Sequence, residues 1–218
     1  MGKKKDYQLN GQLCFDFNTN TEHYVVQSNE LLEGKQNLKL NSAKIVRALI
    51  MQIKPDDEEL KSYFISVQEL AKMLHISAAN LYRDMDTITD DILTNHVAIK
   101  DFLLGLQERY TQYQLENILA MKSVYAIRIY ELLMKEQMTR FIPADGVSVI
   151  LAIKTIREAC DCETKYEKIS QFKSKVIDIA VKEICRCTSY TVSYECLKKG
   201  RSIEAFRFHL NSKYNKIY

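Results

Sequence analysis

Apolar positions recurring every three to four residues mark most of this chain as helical, with short alternating stretches between the helices. Ala43, Ile45, Val46, Ala48 and Leu49 recur at helical spacing behind an Asn41 or Ser42 cap, which predicts a helix ending near Pro55. Val67, Leu70, Ala71 and Leu74 form one apolar face, and Ser66 with Glu69 three residues on makes a capping box. After a tight turn at His75-Ile76, Ser77 caps a second helix that buries Leu81, Met85 and Ile88. This helix-turn-helix pattern turns Ala79, Asn80 and Arg83 outward with Asp86 beside them. A long helical stretch is predicted from Tyr110 to Gln137, with Leu115, Ile118, Leu119, Lys122, Tyr125, Ala126, Ile129 and Leu133 recurring along it. Phe141 to Gly146 breaks it.

The second half follows a similar order without repeating the residues. Ile153 to Ala159 predicts a short helix, Cys160 to Tyr166 a polar turn, and Glu167 to Glu183 a longer helix. On the longer helix Ile169, Phe172, Val176, Ile179, Ala180 and Ile184 share one arc, while Gln171, Ser174, Lys175, Asp178 and Lys182 point away. Tyr190 to Leu197 and Ser202 to His209 alternate as strands around Lys198-Lys199-Gly200-Arg201. A hairpin tipped by three cations and a glycine has the shape and charge of a wing lying along a phosphate backbone. Near the start, His23 to Gln27 reads as a short strand after a loose polar arm. Thr94 to Lys100 reads as another, yet it runs straight into Asp101-Phe102 with no second strand to make a first wing.

Composition fits this picture. The 218 residues are 46% apolar and 27% charged, with only 2 prolines and 6 glycines, as expected of a helix-rich chain that buries a core, here in two small domains. The net charge of +3 is unevenly spread: residues 1–107 carry 12 Lys/Arg against 15 Asp/Glu, and residues 108–218 carry 19 against 13. The C-terminal half is therefore the one suited to a polyanion. Met1-Gly2-Lys3-Lys4-Lys5 lacks the apolar stretch of a signal peptide, and no window approaches the roughly 18 apolar residues of a membrane span. The expectation is a cytoplasmic protein with reduced thiols. Cys160-Asp161-Cys162 and Cys185-Arg186-Cys187 are spaced too closely for a usual structural zinc site, so no metal is expected.

Enzyme chemistry finds little support. The six glycines contain no phosphate loop, and His23, His75, His96 and His209 form no metal-binding pair of the kind that serves a nicking tyrosine. No catalytic residue and no cofactor is assigned. Asn and Arg at the exposed helix positions suit bidentate reading of adenine and guanine edges. Taken alone, the first helix-turn-helix suits a surface helix of a bundle equally well, and the hairpin tip suits a solvated turn.

Several segments, in order, resemble the iteron-binding replication initiators of theta-type bacterial plasmids. They are Val25-Val26-Gln27-Ser28-Asn29-Glu30-Leu31, Leu81-Tyr82-Arg83-Asp84, the stretch from Tyr113 to Leu133 with Lys122-Ser123-Val124-Tyr125-Ala126-Ile127-Arg128-Ile129-Tyr130-Glu131-Leu132 inside it, Phe172 to Ile184, and Lys198-Lys199-Gly200-Arg201. The resemblance implies an α+β, mainly helical fold of two tandem winged helices joined by a long helix. The expected division is an arm at 1–22, an N-terminal winged helix at 23–108 with its wing missing or truncated near 100–101, and a C-terminal winged helix at 109–218.

By position, the implied DNA-binding residues are Ser77, Asn80 and Arg83 in the first domain. In the second they are Lys165, Lys168, Gln171, Lys173, Ser174 and Lys175, with Lys198, Lys199 and Arg201 on the wing. Relatives carry consecutive arginines where this chain has Lys173-Ser174-Lys175; lysine lacks the planar fork, so phosphate contact is expected there. The implied partners are origin repeats in double-stranded DNA, host replication proteins such as a helicase or initiator, and a second copy of the chain when it represses its own gene. Two other classes stand beside this one: a dimeric winged-helix repressor that starts no replication, and a winged-helix interaction module with no DNA role.

Overall fold

A computed structural model describes residues 13–14, 24–53, 63–95, 110–137 and 146–214. Within the expected arm, β1 (Leu13–Cys14) pairs in parallel with β3 (Tyr63–Phe64). The next strand, β2 (Tyr24–Ser28), leads directly into α1 (Asn29–Glu33), because Ser28 accepts a hydrogen bond from the Leu31 N–H and so caps the helix. Helix α2 (Leu40–Ile50) starts three residues before the Ala43 start predicted; Lys39 stands at its cap position, and no side chain caps it. The Asn41 or Ser42 cap is therefore not used; both lie inside the helix, and Ser42 is buried.

Helices α3 (Val67–Leu74) and α4 (Ala78–Thr94) form the expected helix-turn-helix. Ser66 and Glu69 make the capping box, His75 takes the left-handed conformation that ends α3 (φ 55°), and Ser77 caps α4. Leu81 and Ile88 are buried and Met85 packs against them. The strand expected from Thr94 is not seen there: Thr94 is the last residue of α4 and Asn95 its cap, while 96–100 and the first-wing region lie outside the described residues.

The single long helix expected over 110–137 is instead three elements: β4 (Tyr110–Gln114), α5 (Leu115–Leu119) and α6 (Val124–Glu136). Strand β4 pairs antiparallel with β2, Val25 opposite Tyr113 and Gln27 opposite Thr111, so pairing with a strand 86 residues earlier overrides local periodicity. Sheet pairing thus joins residues on both sides of the expected division at 108/109. Lys122, expected on the helical face, sits exposed in the break between α5 and α6.

Helix α6 is buried along Ala126 to Met134, Arg128 and Glu131 included. Glu131 Oε1 accepts from Arg47 Nε (2.8 Å) and the Tyr113 hydroxyl (2.6 Å), and Oε2 accepts from an Arg128 guanidinium N–H (2.6 Å). Arg128 also donates to the carbonyls of Leu32 (2.6 Å), Gly34 (2.9 Å) and Ala159 (3.0 Å). Buried charges are tolerated only when their hydrogen-bonding groups are met in this way.

In the second half β5 (Val147–Ala152) precedes α7 (Ile153–Ala159), and the sheet order is β5-β7-β6 with β6 (Tyr190–Lys199) and β7 (Ser202–Ser212) forming the predicted hairpin. Gly146 opens β5 at φ 80°, where a Cβ would lie 2.2 Å from Asn211 Oδ1, so only glycine fits. Inner residues Val149, Leu151, Val192, Phe206, Phe208 and Leu210 are buried under the long helix.

That helix runs as α8 (Ile169–Phe172), a π-helical turn (Lys173–Ile177) and α9 (Asp178–Cys187). The extra residue of the π turn shifts the phase of everything after it. Ile177 becomes buried, whereas Ile179, expected on the apolar arc, is 37% exposed.

The turn after α7 is not simply polar: Cys160 and Cys162 are buried, and burial pushes the Cys160 thiol up to about 12. Such thiols are unreactive at neutral pH. Among the described residues no three His, Cys, Asp or Glu side chains could share a metal ion, and no helix is long and apolar enough to cross a membrane.

Candidate nucleic-acid interface

The C-terminal face is built from the start of the long helix and the hairpin beside it. Phe172 anchors the helix from below: it is fully buried, its ring 6.3 Å from that of Phe206, with the Arg157 guanidinium 4.3 Å from its centroid. Arg157 is itself held by the carbonyls of Cys162, Lys165 and Tyr166, which fixes the turn leading into the helix. Strand β6 supports the helix from the other side, where the Tyr194 hydroxyl donates to Asp178 Oδ1 (2.6 Å). Burial and that carboxylate hold the Tyr194 phenol above its ordinary range, so it stays a donor.

With the helix anchored this way, Lys168, Gln171, Ser174 and Lys175 are all exposed, as are Asp178 and Lys182. Lys168 caps α8 by position only. The Ser174 hydroxyl donates to the Gln171 carbonyl (3.2 Å), and Lys165 is exposed with its ammonium 3.4 Å from the Asp161 carbonyl. Lys173 is turned aside: it is half-buried with Nζ 5.6 Å from the Tyr194 ring centroid, which favours a packing and cation–π role over an outward one. At the hairpin end Lys198, Lys199 and Arg201 are exposed around Gly200 (φ 62°), and a bulge between Leu197 and Lys198 breaks the strand register there. Lys199 lies 4.0 Å from Glu204, a solvent-exposed pair that holds the lysine only loosely.

In the N-terminal half, Asn80 and Arg83 are exposed on the first turns of α4. Ser77 is engaged at home, its hydroxyl accepting the Asn80 N–H (3.2 Å), and Arg83 Nε lies 3.1 Å from Asp84. The sequence reading missed Tyr82, which is 68% exposed next to Arg83. A large aromatic on the polar side of an amphipathic helix was the available signal. The two sets of side chains thus lie on separate helices, α4 in one half and, in the other, the first turns of the long helix from its cap residue Lys168 through α8 and the π turn.

Ser148, His209 and Glu195 form a row across the outer face of the C-terminal sheet. Ser148 Oγ is 2.9 Å from His209 Nδ1, but His209 Nε2 is 3.9 Å from Glu195, beyond hydrogen-bond reach, and Ser148 and Glu195 are exposed.

Both halves match known domain models. Residues 24–101 and 92–134 match the model described as "Initiator Replication protein, WH1", and residues 152–210 match "Initiator Rep protein, WH2". The chain belongs to the initiator replication protein family. Its two halves, one holding the α3–α4 helix-turn-helix and the other the long helix with its hairpin, are accordingly the tandem winged helices of an initiator. A solved structure described as the Pi initiator protein in complex with iteron DNA superposes with a TM-score of 0.75 at 18% identity, covering 88% of this initiator and 98% of that chain. At that identity the likeness speaks for the fold.

Proposed function

We propose that this initiator starts plasmid replication by binding iteron repeats in double-stranded origin DNA, using α4 and the long helix of the C-terminal half, over α8 and its π turn, as the two reading helices and the β6–β7 hairpin as a wing on the phosphate backbone. The observation that carries this reading is the exposed set Lys168, Gln171, Ser174 and Lys175 beside the cationic hairpin tip, in a chain of the initiator family. The fold shared with the Pi initiator, which was solved on iteron DNA, supports it. Lys165 and Lys173 take supporting roles, the second through Tyr194. Further parts of the proposal are that the protein acts in the cytoplasm, performs no chemical step, recruits host replication proteins such as a helicase, and represses its own gene as a dimer. The family resemblance supports each of these.

Mobility shift with a duplex bearing origin repeats, against the same duplex scrambled, tests the core of the proposal. Binding to the repeat is expected to be tighter and to fall steeply with salt, because several phosphate contacts release counterions. Equal affinity for both duplexes at physiological salt would overturn it.

The roles of the side chains separate in the same assay. Lys175→Ala or Arg201→Ala is expected to weaken binding to all sequences and to lower the salt slope by about 1. Asn80→Ala or Arg83→Ala is expected to relax base preference by about 1 to 3 kcal/mol per lost bidentate contact. An Arg83→Ala protein with unchanged selectivity removes that residue from base reading.

A further inference from the structure

The long helix of the C-terminal domain does more than face outward. Nine residues beyond Ser174, Glu183 Oε2 accepts the backbone N–H groups of Lys122 (2.6 Å) and Ser123 (3.0 Å) at the start of α6. Ser123 stands at the cap position of α6 and makes no side-chain capping bond; the carboxylate from α9 instead accepts the N–H of that cap residue and of the residue before it, the part a capping-box glutamate plays from within its own helix. One turn on, Arg186 donates to the Ala120 carbonyl (2.9 Å) at the end of α5. The negative side chain meets a helix N-terminus and the positive one a helix C-terminus, each the favourable sense for the helix dipole. From the other side, Lys44 of α2 donates to the Leu119 carbonyl (2.5 Å).

The break between α5 and α6 is therefore clamped between α2 of the N-terminal half and α9 of the C-terminal half. A second tie lies elsewhere on the same boundary: Arg128 reaches the Ala159 carbonyl, and Lys35 pairs with Asp161 (2.6 Å) and Glu163 (3.1 Å). The helix carrying Gln171, Ser174 and Lys175 is thus a lever, with its clamp roughly 13 Å along the axis from Ser174. A small rotation at the clamp moves the outward end relative to α4.

We propose that Glu183 is a positioning residue: by capping α6 from the recognition helix it fixes the separation and angle of the two reading helices, so that the initiator measures the distance between the two halves of a repeat. This rests on the repeat-binding reading above. Two domains held at a set spacing gain affinity together only when their sites are spaced to match, and lose that gain when geometry prevents joint engagement.

The test uses the full chain as wild type, Glu183→Ala and Glu183→Gln. The probes are a duplex bearing one origin repeat, the same duplex with two base pairs inserted at the repeat centre, and two duplexes in which one half of the repeat is scrambled. Wild type is expected to lose roughly tenfold or more on insertion. Glu183→Ala is expected to lose roughly tenfold on the intact repeat and to become nearly indifferent to the insertion, while its binding to the half-scrambled duplexes changes less than about twofold. Glu183→Gln keeps an oxygen that accepts both N–H groups and should restore the wild-type spacing preference. Should Glu183→Ala not fold, Arg186→Ala leaves the α6 cap in place and is expected to shift the spacing preference in the same direction by less.

Equal loss on every probe, or an unchanged insertion penalty, would overturn the positioning role. If wild type itself fails to prefer the intact repeat over a fully scrambled duplex, the repeat-binding reading falls and takes the spacing proposal with it. A wild type that binds specifically beside variants of unaltered spacing preference leaves the binding reading standing and removes only this inference.

Discussion

Glu131→Ala is expected to destabilise the initiator by about 3 to 5 kcal/mol, enough to unfold a large fraction of the protein, because it leaves two arginines buried without their common counter-charge. Arg47 and Arg128 are each 1% exposed and Glu131 is wholly buried. Urea denaturation of wild type and variant measures the loss, and a change under about 1 kcal/mol would show that the network is an incidental pairing. The same carboxylate sets an acid limit. Burial alone would push its pKa up, but Arg47 and Arg128 prevail and hold it at about 2, against an ordinary 4.5. A depressed folded pKa means a stabilising contribution that is fully present above pH 4.5 and drains away as pH falls from there toward 2.

Phe172→Ala is expected to cost about 3 to 5 kcal/mol by a different route, emptying a packed site rather than baring charge. The side chain fills the space between Phe206 and the Arg157 guanidinium, directly before the π turn. Its loss should loosen the C-terminal sheet and recognition helix first. Native-state hydrogen exchange would detect this as faster exchange across Val147 to Ser212 with the β2–β4 ladder still protected. Uniform acceleration through both halves would show that Phe172 is not a local anchor.

What the sequence disclosed and what it hid follow from where each signal lies. The helix-turn-helix was legible because its determinants are local: Ser66 with Glu69, and Ser77 at the next cap. The hairpin was legible because its strands alternate on either side of a glycine turn. Strand β4 was not, because Tyr110 to Gln114 runs straight into the helical spacing of Leu115, Ile118 and Leu119, and only pairing with the distant β2 makes those first five residues a strand. Strand β5 was hidden by Ile150, which is 54% exposed and blurs the alternation of Val147, Val149 and Leu151.

The same division holds for the site. Exposure of Asn80, Arg83, Gln171, Ser174 and Lys175 could be read from helical phase, whereas Lys168 came from the family resemblance alone. The diversion of Lys173 onto Tyr194 could not, since it depends on a contact 21 residues away. Nor could the burial of Arg128 and Glu131, because charged residues on a helix read as solvated until their partners are known.

The π turn gives the helix two unlike registers, one for its outward end and one for the end seated against the rest of the molecule. Each residue of an α-helix advances about 100° around its axis, so one added or omitted residue re-aims everything downstream by that amount. For anyone recombining initiators to change their target, the natural cassette is Lys168 through Ile177 as a whole, since it carries both the outward side chains and the offset that lets Glu183 find its seat. A chimera joined at Lys175 would inherit the letters without the frame.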